Sequence, residues 1–494
     1  MITFLIGLAI LIAGAALYSI LCEKAFHPDF RKTPAYVKKD GLDFVPIKGW
    51  KNCFINLLNI SGIGVVLGSI QGILFGPLAF LTIPVSNILG GAVHDYFSGM
   101  ISLRDGGVQM STLVKKYTNK AAYVLYSVFV CLFLLLVSAV FVYTPGDIAL
   151  TQLFSYGGDK PVLWAWIIYG VILIWYFIAA VLPVDKLIGK VYPVFGAVLI
   201  LSSLGVLAGT LIKGGTLVEV WAGTWQAEGM FSYSEYFAGH HFFTLFFVTV
   251  ASGILSGFHS TQVSIVSRTL RNEREGRRTF YWMMAAEGLI AMIWAAGAMS
   301  AFNAGLADPS ASATENISLI CRGLLGNVGG MIALAGVVLL PLTTGDTALR
   351  SLRLTLSEVL DIDQSTAGGR FGLTAVLCVL TGGIVAFAKF CTNGFTVLWS
   401  YAGLADEIIA LFSFAVITIW LFVNGRGKFA GIALLPGAFC AYVAVAFLAG
   451  GTGFGLAWKA ADAAGIAFAV LYCALLVVCG KKKSSDESLK TLQA

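Results

Sequence analysis

The sequence predicts an all-α polytopic membrane protein with about thirteen transmembrane helices. Three observations carry that expectation. The 494-residue chain is 58% hydrophobic and only 12% charged, far more apolar than a soluble globular domain. Apolar runs of eighteen residues or more recur along it, long enough to cross a hydrocarbon core. The Lys and Arg residues alternate between the connecting segments. With the N-terminus outside, five of the 32 (Lys160, Lys213, Arg322, Lys389 and Lys459) face outward and the other 27 face the cytoplasm. One helix too many or too few would scramble that bias downstream.

The elements follow in order. The run at 2–22 has no basic leader before its apolar core, and its positive charges come after it. That predicts a retained extra helix with its N-terminus outside, not a cleaved signal. Runs at 53–74, 77–102, 121–143, 162–183 and 190–212 form a first group of five, over 53–212. Runs at 241–266, 279–302, 328–349, 371–389 and 394–423 form a second group, over 241–423, entering from the opposite side of the membrane. Five helices followed by five of reversed orientation is the plan of an inverted repeat. Two more helices, at 428–449 and 461–479 within 428–479, precede a basic cytoplasmic tail, 480–494.

None of the loops (23–52, 213–240 and 303–327 are the longest) can fold as a soluble domain, and the Asn316-Ile317-Ser318 sequon falls in the third. The net charge of +6 is a topology signal and calls for no nucleic-acid partner. Nine scattered cysteines without a Cys-x-x-Cys spacing argue against a disulfide framework or a zinc site. The 56 glycines suit close helix crossing in lipid. Trp164 and Tyr236, at span edges, read as interface anchors.

Two helices are interrupted where they should run unbroken. The stretch Ser252-Gly253-Ile254-Leu255-Ser256-Gly257-Phe258-His259-Ser260 breaks the seventh run, and Ser61-Gly62-Ile63-Gly64 breaks the second. Irregular polar backbone is tolerated at membrane depth only where it lines a cavity. Carriers place such breaks at matching positions of two inverted halves, around the substrate. Ser61, Gly62, Gly64, Ser256, Gly257 and His259 are therefore candidate substrate-binding positions.

Ionisable groups gather at one depth. Asp95 lies nine residues before Arg104, His259 nine before Arg268, and Glu287 nine after Arg278. At a rise of about 1.5 Å per residue, each sits roughly 13 Å from a charged flank. Asp406 and Glu407, in the eleventh run, reach a similar level. Adjacent helical residues point about 100° apart, so only one of the two faces a given cavity; Asp406 is favoured. His94, Asp95 and Glu287 are candidates for a proton relay or for structural bridging between helices. In Thr343-Thr344-Gly345-Asp346, hydroxyls and a carboxylate offer hard oxygen ligands for sodium or a site for proton exchange. Asp346 and Arg350 have the i,i+4 spacing of an ion pair. The run from Arg268 to Arg278 reads as topogenic.

Several of these segments together resemble the carbon starvation (CstA-like) family of bacterial inner-membrane transporters. They are Asp40-Gly41-Leu42-Asp43-Phe44-Val45-Pro46, Gly90-Gly91-Ala92-Val93-His94-Asp95-Tyr96, Ser256-Gly257-Phe258-His259 and Leu342-Thr343-Thr344-Gly345-Asp346-Thr347. The resemblance implies a LeuT-like core of five plus five helices in the amino acid–polyamine–organocation superfamily. It also implies uptake of short peptides or of pyruvate. The chain departs from the family at Lys51-Asn52-Cys53-Phe54, where long members carry Gly-His-His, and at Gly64-Val65, where they carry Gly-Pro. It departs again at Asp406-Glu407, where the family has Asn-Gln, and it is shorter at its C-terminal end.

The expected function is a cation-coupled importer of a peptide or a pyruvate-like acid, embedded in the bacterial inner membrane, with H+ or Na+ as coupling ion and no cofactor. The free N-terminal end of a half-helix would hold a substrate carboxylate and its carbonyl end a cation. The alternative is a channel, or a membrane-embedded sensor or enzyme using the same polar cluster. An enzyme would use His259 with Asp95 or Glu287 as acid and base, but neither a metal-ligand helix motif nor a nucleophile elbow supports it.

Overall fold

The computed structural model describes residues 1–154, 162–184, 188–223, 225–226, 231–364, 366–391, 394–451 and 453–485. Lys160, Lys186, the side chain of Ser252 and the tail beyond residue 485 lie outside the described residues. Among the described residues the regular elements are helices. They are α1 (Ile2–Phe26), α2 (Gly49–Ile60), α3 (Gly64–Gly72), α4 (79–104), α5 (Lys120–Leu153), α6 (Val162–Val181) and α7 (Ile188–Lys213). After a short helix at Tyr233–Gly239 come α8 (Phe247–Ile254), α9 (Phe258–Ser267), α10 (Trp282–Asn303) and α11 (Ala313–Leu360). The last four are α12 (Ala367–Phe390), α13 (Gly394–Val423), α14 (Gly431–Ala449) and α15 (Trp458–Ser484).

Among the described residues, ten helices are long and apolar enough to cross a bilayer, and the bent pair α2–α3 makes eleven. The two remaining predicted runs are also helical, as α4 and as the short pair α8–α9, but fall below that length-and-apolarity measure. For α4 polar content is the reason, since it carries His94 and Asp95; for α8 and α9 it is length, 8 and 10 residues on either side of the break. Helix α10 is the most enclosed of the spans, with 89% of its apolar window buried. The broken pairs α2–α3 and α8–α9 pack on it and on each other.

Both predicted breaks are real and narrower than the sequence implied. Helix α2 ends at Ile60 and α3 starts at Gly64, with a 55° bend between them. Helix α8 ends at Ile254, Leu255 is fully extended, and α9 starts at Phe258. Glycine lets the broken helices touch. A Cβ on Gly68 would sit 3.0 Å from the Thr249 carbonyl oxygen, and one on Gly253 would sit 3.1 Å from Val65 Cα.

Two boundary expectations are corrected. The loop foreseen at 303–327 turns helical at Ala313, because the Ser312 side chain accepts from the Glu315 N–H. That is the first half of a Ser-x-x-Glu capping arrangement. Helix α11 then runs 48 residues, kinked at Gly326 (φ 72°), and the sequon lies on its first turn. At the other end α15 continues through Lys481–Lys483 to Ser484, so the tail begins later than residue 480.

Candidate functional site

The two breaks face each other across a cavity of about 30 Å³, bordered by Ile60, Gly62, Gly64, Ser256, Phe258 and Asp406 among others. That is room for about one water, so in this conformation the breaks are closed on one another. Gly257 is required here by its neighbours. Its N–H donates to the Asp406 carbonyl at 3.2 Å, and a Cβ would lie 2.3 Å from that oxygen.

Asp406, at 4% exposure, extends from α13 into the second break. Its Oδ1 accepts from Ser256 Oγ at 2.7 Å and from the Phe258 N–H at 3.2 Å. Phe258 opens α9, so the carboxylate sits against free N–H groups at a half-helix N-terminus, where negative charge is favoured. This corrects one expectation. The position foreseen for a substrate carboxylate is filled by the chain's own acid.

Beside it lies a buried ionic cluster. Asp95 Oδ1 is 2.9 Å from His94 Nδ1, and its Oδ2 is 3.1 Å from His259 Nδ1. A carboxylate between two Nδ1–H groups fixes the tautomer of both rings. The His259 Nε2 then faces Glu287 Oε2 at 3.9 Å, beyond hydrogen-bond reach. Among the described residues neither Glu287 oxygen has a hydrogen-bond partner, and Glu287 is fully buried. The helical-rise argument thus brought together residues from α4, α9 and α10. Such a group can hold a mobile proton, since buried charges must be paired or neutralised.

Thr343 and Thr344 lie against the first break. Thr344 Oγ1 is 3.0 Å from the Leu58 carbonyl oxygen, 3.3 Å from that of Ser61 and 3.2 Å from that of Leu340. Thr343 Oγ1 is 2.8 Å from the Leu340 oxygen and 3.4 Å from that of Leu58. Five oxygens from α2, the break and α11 converge. Asp346 points elsewhere. It accepts from Tyr192 OH at 2.6 Å and from Trp175 Nε1 at 3.0 Å, so it belongs to the contact with α6 and α7. Tyr192 OH also reaches the Thr343 carbonyl at 2.6 Å.

The i,i+4 pairing of Asp346 with Arg350 is corrected as well. Arg350 reaches Asp43 at 2.7 Å and the carbonyls of Ala179 and Leu182. Arg353 adds a second contact to Asp43 at 3.5 Å. Arg268, foreseen as purely topogenic, is 4% exposed and pairs with Glu358 at 2.8 Å. These pairs close the end of the bundle that carries Arg104. Tyr236 stacks on His240 at 3.9 Å and packs on Phe75, more enclosed than an interface anchor; Trp164 is 45% exposed, as an anchor should be.

The family model described as carbon starvation protein CstA matches residues 1–147 and 143–318. An uncharacterized membrane protein of Haemophilus influenzae is 35% identical over 334 residues, covering 60% of this chain and 89% of its own. The peptide transporter CstA of Helicobacter pylori J99 is 23% identical, over 86% of this chain and 79% of its own. That of Escherichia coli K12 is 25% identical, over 83% and 74%. Among solved structures, the Eremococcus coleocola manganese transporter aligns with a TM-score of 0.57 at 11% identity, covering 90% of this chain and 99% of its own. A Na+-coupled sialic acid symporter aligns with a TM-score of 0.52 at 14% identity, covering 95% and 96%. Likenesses this distant in sequence show a shared transporter fold alone.

Proposed function

This chain belongs to the carbon starvation protein CstA family, and from that premise we propose that it is a cation-coupled secondary transporter importing short peptides by alternating access. In this reading all thirteen predicted runs cross the membrane. Residues 53–212 and 241–423 are inverted five-helix units, α1 precedes them, and α14 and α15 follow. The N-terminus faces outward and the C-terminus the cytoplasm.

The choice of peptide over pyruvate rests on one observation, the seating of Asp406 at the N-terminus of α9. An incoming carboxylate would meet a carboxylate there. The ammonium of a peptide would be attracted to it, at the mouth of the cavity between the two breaks. The substrate-contacting set is then Ser61, Gly62, Gly64, Ser256, Gly257, His259 and Asp406. Two cation sites support coupling. His94, Asp95, His259 and Glu287 would carry a proton, and the five oxygens around Thr343 and Thr344 would hold sodium, a cation that favours hard oxygen ligands.

The test is uptake into proteoliposomes, comparing di- and tripeptides with pyruvate under separately imposed proton and sodium gradients. Peptides should accumulate above the external concentration and pyruvate should not. Preferential accumulation of pyruvate would overturn the substrate assignment. Non-saturating flux that survives collapse of both gradients would make the protein a channel.

A further inference from the structure

Asp406 and Glu407 are neighbours on α13 and face different compartments. Asp406 borders the central cavity, while Glu407 borders a second cavity of about 340 Å³ on the flank of the bundle. This lateral cavity lies between α1, α4, α8, α13 and α14, and its walls are almost wholly apolar. Tyr18 and Ser86 are its other polar side chains. At its rim Leu89 is 42% exposed and Leu435 73% exposed, so in a bilayer it opens towards hydrocarbon.

Glu407 is 2% exposed, and its Oε2 has no hydrogen-bond partner among the described residues. The Cys440 thiol lies beside the carboxyl. An unpaired carboxyl oxygen in an apolar chamber of this size has the character of a small-molecule site: hydrophobic walls with one polar group that orients the ligand.

We propose that the lateral cavity binds an amphipathic amine entering from the bilayer, its ammonium on Glu407 and its apolar body against α8 and α14. The charge logic selects this class. A carboxyl buried among apolar walls is costly to ionise unless a cation sits against it; an anion gives it no such partner, and a purely apolar molecule would leave Oε2 unpaired. An ammonium supplies the missing donor, and the hydrocarbon behind it fills the walls. Its occupancy can be read without measuring transport.

The full-length protein in phosphatidylcholine vesicles would be photolabelled with an octylamine carrying a diazirine on its alkyl chain, and the labelled peptides mapped by mass spectrometry. Label should concentrate on the segments containing Tyr18 and Phe439. Octylamine should displace it about tenfold more effectively than 1-octanol, the discrimination expected of one charge-assisted hydrogen bond. In Glu407→Gln that preference should vanish. Equal displacement by amine and alcohol in the wild type would overturn the proposal, with no variant needed. So would label spread evenly over all lipid-facing helices, or a Glu407→Gln protein that keeps the amine preference.

Discussion

At Asp95 two imidazoles share one carboxylate, and the arrangement makes the outer nitrogen of His259 the natural place for a proton to arrive or leave. Replacing His259 with Ala should abolish concentrative uptake while leaving expression and membrane insertion intact; normal accumulation by that variant would remove the residue from the mechanism. Thr344 answers a different question. Thr344→Val keeps the shape but removes an oxygen from the set against Leu58 and Ser61, so sodium-driven uptake should need about tenfold more sodium. An unchanged sodium dependence would remove Thr344 from any sodium site. How far these groups could be read from the chain varied with their chemistry. His259, Asp95 and Glu287 were found by counting residues from charged flanks, because helical rise converts sequence distance into depth. The carbonyls of Leu58 and Ser61 were invisible, since every residue has one. Arg350 was misassigned because its partner Asp43 is 307 residues away, while Asp346 offered a local match at helical spacing.

Among elements, the broken helices are held together by missing side chains. Gly257→Ala would drive a Cβ into the Asp406 carbonyl and the Ala410 nitrogen, both backbone atoms that cannot swing aside. A loss of about 1–3 kcal/mol is expected, visible as a lower melting temperature of the purified protein. Gly372→Ala is the control: nothing lies within 4 Å of a Cβ there, on the outward face of α12, so stability should be unchanged or slightly raised. The breaks themselves were legible because Gly, Ser and His interrupted an apolar run. The long reach of α11 was not. Gly326 looks like any other glycine until its positive φ is seen, and the Ser312–Glu315 start signal was masked by a polar stretch that reads as loop.

For the molecule as a whole, the Arg104 end is sealed by charge. Burial pushes the Asp43 carboxyl up, but Arg350 and Arg353, with Arg268 behind them, outweigh it and hold it down at about 2. A carboxylate depressed below its unfolded value, about 3.9, stabilises the fold at higher pH. Protonation removes that contribution as acid carries the solution from about pH 4 to pH 2. Thermal stability should therefore fall across that window, and in Asp43→Asn this part of the fall should be missing. The same variant should be less stable at neutral pH by about 3–5 kcal/mol, since it strands two buried guanidiniums.

The closed central cavity also shapes how the protein can be inhibited. A compound competing with cargo has no space between the breaks in this conformation, where only about 30 Å³ is open. The flank offers roughly 340 Å³ in the same conformation. A blocker seated there would trap the carrier with its doors shut, from a position that cargo does not fill. Its potency would follow its partitioning into lipid.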